Sequence, residues 1–418
     1  MAGSRFGLLG EKLTHSFSPL IHSELGNYEY LLYEKKQNEL EEFFKSESFD
    51  GLNITIPYKK AVIPFCNELT DAAHCTGSVN TILRRQDGSL YGDNTDCYGF
   101  TYLLGKTGIK ISNDKIIILG TGGSSLAVQK VLNDMGINNV IIVSRSGPVD
   151  YIKMEEHSEA AMIINTTPLG MYPNNGVSPV PSLEIFRNLK VVIDLIYNPC
   201  RTEFLLQAED LHIPAYNGLP MLVAQAKKSS EIFMDSIYPE SIIKKISAKI
   251  HSYTQNIVLI GMPGSGKTSI GRSLAEKTGR RFFDTDDWVK EKTGKSPSHI
   301  INEEGEDIFR NLETEALKEI CKESSLIIST GGGIVKREVN KKLIRQNGFV
   351  IFLDRDLNEL SLSDRPLSQR DGVAALAEER LPIYNNWSDY TVKVKGIEKT
   401  VDDIMSKCNI PEKKGDNH

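Results

Sequence analysis

The chain has 418 residues, more than one ordinary domain holds, so two or three folding units are expected. A hydrophobic share of 40%, a charged share of 25% and a net charge of −6 describe a globular protein and argue against a broad nucleic-acid-binding face, leaving room only for local cationic pockets. No apolar run approaches the ~18 residues needed to cross a bilayer, Met1 to Leu9 lack the apolar core of a signal peptide, and no cysteine pair forms Cys-x-x-Cys.

Free thiols in a reducing cytosol are therefore expected at Cys66, Cys75, Cys97, Cys200, Cys321 and Cys408. They point to a cytoplasmic protein, while the net charge and the lack of a long apolar run leave neither nucleic acid nor membrane as an expected partner. Apolar runs alternate with helical patterns along the chain, which predicts an α/β fold with parallel sheets.

Phe6-Gly7-Leu8-Leu9 reads as a first buried strand, followed by Thr14-His15-Ser16-Phe17-Ser18-Pro19. In Gly51-Leu-Asn53-Ile-Thr55-Ile-Pro57-Tyr58-Lys59 polar and apolar residues alternate, so Asn53 and Thr55 share a face. Gly77-Ser-Val-Asn80-Thr81 and Gly92-Asp93-Asn94-Thr95-Asp96 follow. Each stretch alone is ordinary turn chemistry. Together they offer hydroxyls, amides, one cation and one carboxylate, a set suited to a small acid bearing several hydroxyls.

The strand run Lys115-Ile-Ile-Ile-Leu119 leads into Gly120-Thr121-Gly122-Gly123-Ser124, two glycines of a dinucleotide fingerprint with the third replaced. A second strand, Val140 to Val143, is followed by Ser144-Arg145-Ser146. An acidic residue there would bind the ribose hydroxyls of NAD, whereas arginine flanked by hydroxyls suits the 2′-phosphate of NADP. An exposed arginine at a strand end is the plainer alternative.

This region resembles shikimate dehydrogenase over roughly residues 4 to 238. The matching motifs are His-Ser-x-Ser-Pro, Asn-x-Thr-x-Pro-x-Lys, Gly-x-Val-Asn-Thr and Gly-Asp-Asn-Thr-Asp. Later come Asn165-Thr-Thr-Pro-Leu-Gly170-Met171, Asp194-Leu-Ile-Tyr197-x-Pro and Asn217-Gly218…Met221-Leu-Val-Ala-Gln225. The resemblance implies that Lys59 and Asp96 are the catalytic pair and that Ser16, Ser18, Thr55, Asn80, Tyr197 and Gln225 bind substrate. It implies an NADP(H) site at Gly120 to Ser124, Ser144 to Ser146, Thr166, Met171 and Gly218. Two departures are Cys97 in place of the usual glycine after Asp96 and Ser144 in place of the more common asparagine. Neither removes a charge.

Pro239 to Thr254 is polar and lysine-containing and reads as a helix tail or linker at 239–254. Then Asn256 to Ile260 leads into Gly261-Met-Pro-Gly264-Ser265-Gly266-Lys267-Thr268, a full phosphate-loop pattern. Its glycines let backbone N–H groups turn onto phosphate oxygens, Lys267 reaches the outer phosphates of ATP, and Thr268 can ligate Mg²⁺. If Phe282 to Asp286 ends a strand, Asp284 and Asp286 share one face. Arg310 adjoins the apolar stripe of Phe309, Leu312 and Ala316, where an arginine is more often a snorkelling surface residue than a clamp. Leu326 to Thr330 ends in Gly331-Gly332-Gly333, and Asp364-Arg365-Pro366-Leu367 and Arg380-Leu-Pro382-Ile-Tyr384 complete the set.

In this order the motifs resemble shikimate kinase over roughly residues 255 to 400. The resemblance implies Asp284 as the Mg²⁺-linked carboxylate and Asp286 as the group that activates the substrate hydroxyl. Arg310 and Arg380 would bind the substrate carboxylate, Gly331 to Gly333 would approach its ring, and Arg365 would close a lid over the transferring phosphate. Leu357 to Ser363 is shorter and less basic than usual before such a lid, and a basic residue expected near ATP has no clear match.

The resulting expectation is an N-terminal α/β substrate domain (1–105, completed by helices about 217–238) and a Rossmann-type NADP domain (106–216). After the 239–254 linker comes a P-loop α/β kinase domain with a parallel sheet (255–403), then a tail (404–418). Such a chain would reduce 3-dehydroshikimate with NADPH and phosphorylate the product with MgATP. The alternatives are a preference for quinate or NAD, and a degenerate kinase-like module that binds nucleotide as a scaffold. The oligomeric state stays open.

Overall fold

The computed structural model describes residues 5–13, 16–110, 114–360 and 372–413. The chain divides into two units: Met1–Gly170 with Ser178–Tyr197 and Gln207–Ile250, and His251–His418 with Met171–Val177 and Asn198–Leu206.

The first unit holds two sheets. Strands β1 (Arg5–Gly10), β2 (Glu29–Glu34), β3 (Gly51–Ile54), β4 (Glu68–Leu69), β5 (Thr81–Arg84) and β6 (Leu90–Asp93) line up as β2-β1-β3-β5-β6-β4. This sheet is mixed, whereas the sequence pattern predicted parallel sheets: β5 runs antiparallel to both β3 and β6. The reason lies in the short β5–β6 connection, where Arg85 N–H donates to Ser89 O across a tight turn; no crossover helix fits in that length.

Strands β7 (Ile116–Leu119), β8 (Val140–Val143), β9 (Met162–Asn165), β10 (Val191–Asp194) and β11 (Ala215–Tyr216) form a second, all-parallel sheet in the order β11-β10-β9-β7-β8. Ile116 to Leu119, Met162 to Asn165 and Val191 to Asp194 are buried throughout, as expected for strands covered on both faces. Within residues 239–254, read from sequence as a helix tail or linker, Ser241–Thr254 is a helix whose Ile243, Ile246 and Ile250 pack against Ile21, Leu25, Leu219 and Val223.

The second unit is built on β12 (Asn256–Ile260), β13 (Arg281–Asp284), β14 (Leu326–Ser329), β15 (Gly348–Asp354) and β16 (Tyr390–Lys393), all parallel, in the order β13-β14-β12-β15-β16. Its buried β-branched runs, Ile257-Val258 and Ile327-Ile328, seat helices on both faces. Among the described residues no helix is long and apolar enough to cross a membrane.

Candidate active sites

Strand direction assembles the first site. β1 and β3 run parallel and β5 is reversed, so the ends of β1, β3 and β6 and the start of β5 share one edge. Ser16 and Ser18 follow β1, Thr55 and Lys59 follow β3, Asn80 precedes β5 and Asp96 follows β6, and all reach that edge. Lys59 Nζ donates to Asp96 Oδ2 at 2.6 Å, and Asn80 Nδ2 donates to Asp96 Oδ1 at 2.9 Å. Asp96 opens the helix Asp96–Lys106, whose positive end favours the carboxylate. Asn80 Oδ1 in turn accepts from Thr95 N at 2.8 Å, so the amide is held on two sides. Thr14 and His15 of the first motif lie outside the described residues.

Gln225 reaches this cluster from the helix Leu219–Met234, with its Oε1 3.5 Å from Asn80 Nδ2 and 3.4 Å from Thr95 Oγ1. Gly99, which sequence reasoning passed over, permits the approach: a Cβ there would lie 2.7 Å from Met221 O and 3.1 Å from the Gln225 Cβ. A glycine placed inside a helix, where it costs stability relative to alanine, was the available signal. Thr81 and Ser229, also unassigned from sequence, join their hydroxyls at 2.7 Å beneath the cluster. Asn53 is buried and accepts from the Tyr30 hydroxyl at 2.8 Å. Tyr197 follows β10 and stacks obliquely near Phe17, with ring centroids 5.7 Å apart, beside the Ser16–Ser18 stretch; burial raises its phenol pKa.

The cofactor candidates stand at the carboxyl ends of the parallel sheet, the usual crevice for a dinucleotide. Gly120 to Ser124 follow β7 and open the helix Gly123–Asp134, Ser144 to Ser146 follow β8, and Thr166 follows β9 with its Oγ1 donating to Leu119 O at 2.6 Å. Arg145 and Ser146 are exposed, but Ser144 is buried, so two of the three predicted residues present themselves to a 2′-phosphate. A Cβ at Gly122 or Gly123 would meet open space, the room a pyrophosphate needs beside a helix N-terminus. Gly218 N–H donates to Ile196 O at 3.0 Å. Met171 belongs to the other unit and is largely exposed.

In the second unit the phosphate loop follows β12, with Lys267 Nζ donating to Gly261 O and Met262 O at 2.9 Å each and Thr268 in the first turn of the helix Lys267–Thr278. Thr268 Oγ1 donates to Asp284 Oδ2 at 2.8 Å. The strand ends at Asp284, so the two aspartates do not share a face by strand period. Asp284 caps the helix Thr285–Thr293 by accepting from Asp286 N at 3.0 Å, and Asp286 enters the site from the first helical turn. Asp286 Oδ1 is sealed from solvent without a hydrogen-bond partner among the described residues. Burial, and then the neighbouring carboxyls of Glu313 and Asp284, push its pKa up to about 7.

Arg310 is 4% exposed and so not the snorkelling residue its helix position suggested. Its guanidinium donates to Glu313 and to Glu306 Oε1, and it lies directly under Gly333, where any side chain would collide with it. Gly331 is likewise pressed on Glu313 and lies close to Asp286. The triple glycine thus lets backbone, acids and arginine crowd one spot. Arg380, 1% exposed, donates from Nη1 to Gly332 O at 3.3 Å, and Tyr384 donates to the same oxygen. Arg380 Nε and Nη2 find no acceptor and Glu313 Oε1 no donor among the described residues. Glu313 appeared in the sequence motif without a role; it is fully buried, and burial raises its pKa. Arg365 lies outside the described residues.

Orphaned buried donors and acceptors fit an acid bearing hydroxyls: the free guanidinium donors match a carboxylate and the free carboxyl oxygens match hydroxyls. Thr268 and Asp284 supply the hard oxygen donors suited to Mg²⁺, which ordinarily takes one or two protein ligands and completes its shell with phosphate and water.

Fold and sites together define an α/β enzyme with an oxidoreductase half and a phosphotransferase half. Residues 8–82 match the family model of the shikimate dehydrogenase substrate binding domain, and residues 263–409 that of shikimate kinase. The shikimate dehydrogenase (NADP(+)) of Clostridium perfringens is 35% identical over 269 residues, covering 58% of this chain and 98% of that protein. A chorismate mutase/shikimate 5-dehydrogenase fusion protein from Clostridium acetobutylicum matches with TM-score 0.56 and 35% identity over 60% of this chain and 98% of its own. The Thermus thermophilus shikimate 5-dehydrogenase in complex with shikimate matches with TM-score 0.52 and 27% identity over 59% and 98%. The chain belongs to the shikimate dehydrogenase family and carries a shikimate kinase domain after it.

Proposed function

We propose that the chain catalyses two consecutive steps, reducing 3-dehydroshikimate to shikimate with NADPH and phosphorylating the 3-hydroxyl of shikimate with MgATP. The observation that carries this reading is the pairing, twice over, of a nucleotide site with a constellation suited to the same acid. One is the Lys59–Asp96 pair held by Asn80, the other the Arg310, Arg380 and Asp286 cluster around Gly331 to Gly333.

In the first half, residues 1–105 with helices about 217–238 bind the acid and 106–216 hold the cofactor. Lys59 gives a proton to the carbonyl oxygen as it becomes a hydroxyl, and Asp96 orients Lys59 through their hydrogen bond. NADPH supplies the hydride. Ser16, Ser18, Thr55, Asn80, Tyr197 and Gln225 bind the carboxylate and ring hydroxyls, and Arg145 with Ser146 selects the 2′-phosphate. In the second half, residues 255–403, Asp286 accepts the proton of the attacking hydroxyl, Arg310 and Arg380 fix the carboxylate, and Lys267 stabilises charge on the transferring group. MgATP supplies the phosphoryl group, with Thr268 and Asp284 toward the metal and Arg365 over the phosphate. We also read the protein as cytoplasmic, supported by six free cysteines.

The test supplies 3-dehydroshikimate, NADPH and MgATP to the purified chain, with shikimate 3-phosphate as the expected product. Lys59→Ala should stop only the reduction and Asp286→Ala only the phosphorylation. A folded chain that yields shikimate but no phosphate ester defeats the kinase half of the reading.

A further inference from the structure

We propose that Arg355 holds the nucleoside end of the nucleotide in the kinase half, an assignment that rests on the kinase reading above. The sheet order β13-β14-β12-β15-β16 sets the line of the reaction. Asp284 and Asp286 stand at the end of β13, Gly331 to Gly333 at the end of β14, and the phosphate loop at the end of β12. The acceptor therefore lies on the β13–β14 side of the loop. The donor's remaining length must run the other way, over the ends of β15 and β16.

Arg355 is the first residue after β15. The end of that strand is pressed against the loop: a Cβ at Gly261 would lie 2.9 Å from Leu353 O. Arg355 Nη1 stands 3.8 Å from where a Cβ on Gly266 would be, beside the left-handed residue that turns loop into helix. Its Nε is sealed from solvent and has no hydrogen-bond acceptor among the described residues. Glu359 Oε2, 3.4 Å from that nitrogen, gives ion-pair contact only. A half-buried guanidinium with an unused donor, on the side of the loop away from the acceptor, suits a ribose oxygen or the face of a base, which a planar cation engages and an ammonium does not.

The experiment compares Arg355→Ala and Arg355→Lys with the parent as full chains, titrating MgADP and magnesium pyrophosphate by calorimetry and measuring both KM values of the kinase. The expected result for Arg355→Ala is MgADP binding about tenfold weaker, pyrophosphate binding within about twofold, and a KM for ATP raised with that for shikimate unchanged. Arg355→Lys should recover only part of the ADP affinity. Equal weakening of both probes, unchanged ADP affinity, or full rescue by lysine overturns the assignment. Failure of the kinase reading would show separately, as a parent chain that binds MgADP but does not phosphorylate shikimate.

Discussion

Asp286 carries a carboxyl oxygen closed off from water between two other acids, and that environment sets a testable sign. Its folded pKa of about 7 lies above the ordinary 3.8, so the folded chain binds this proton more tightly than the unfolded chain. The resulting stability is complete below the ordinary value and is lost as pH rises through 7. Asp286→Asn, which needs no proton, should therefore raise the unfolding midpoint of the nucleotide- and metal-free kinase half at pH 8 by about 2–6 °C, with little shift at pH 4. An equal shift at both pH values would contradict the burial argument. The same variant should lose phosphorylation by about 10²-fold or more. Lys59→Ala should lower the reduction rate by about 10²–10⁴-fold, measured as NADPH consumption, without altering the kinase.

The helix Asp96–Lys106 and the helix Leu219–Met234 meet at Gly99, and through that contact an acid and an amide from distant parts of the chain reach one pocket. Gly99→Ala should cost about 1–3 kcal/mol in a denaturant titration, because the intruding methyl meets a backbone carbonyl that cannot swing aside. It should also raise the KM for 3-dehydroshikimate by separating Gln225 from Asn80. A variant that is destabilised with KM unchanged would show that the contact only supports the fold. The β13-to-helix junction is the counterpart in the kinase half. Asp284 is at once helix cap and partner of Thr268, so one carboxylate fixes the turn that delivers Asp286.

Across the whole molecule, each unit carries its own nucleotide site, so ligands should stabilise separable parts of the chain. In differential scanning calorimetry, NADP⁺ at about 100 times its Kd should add roughly 2.7 kcal/mol to one transition and MgADP the same to the other. A single transition moved by both ligands would refute independent sites. The alternation of buried β-branched runs with helical patterns, and the polar residues at strand ends, are local properties, and they were legible because strand period and turn chemistry operate over a few residues. So the α/β class and the phosphate loop could be read directly, whereas Lys59, Asp96 and the arginines stood out only through the family resemblance. The reversal of β5, the burial of Arg310 beneath Gly333, the helical route of Asp286, the closeness of Gly99 to Met221 and the place of Arg355 beside Gly266 could not. Those depend on meetings between segments far apart in the chain. Residue order was enough to say which chemical groups stand at the ends of which strands. Which of them meet, and which lose water, was settled by packing in three dimensions, because desolvation and mutual charge arise there and set whether a carboxyl carries its proton.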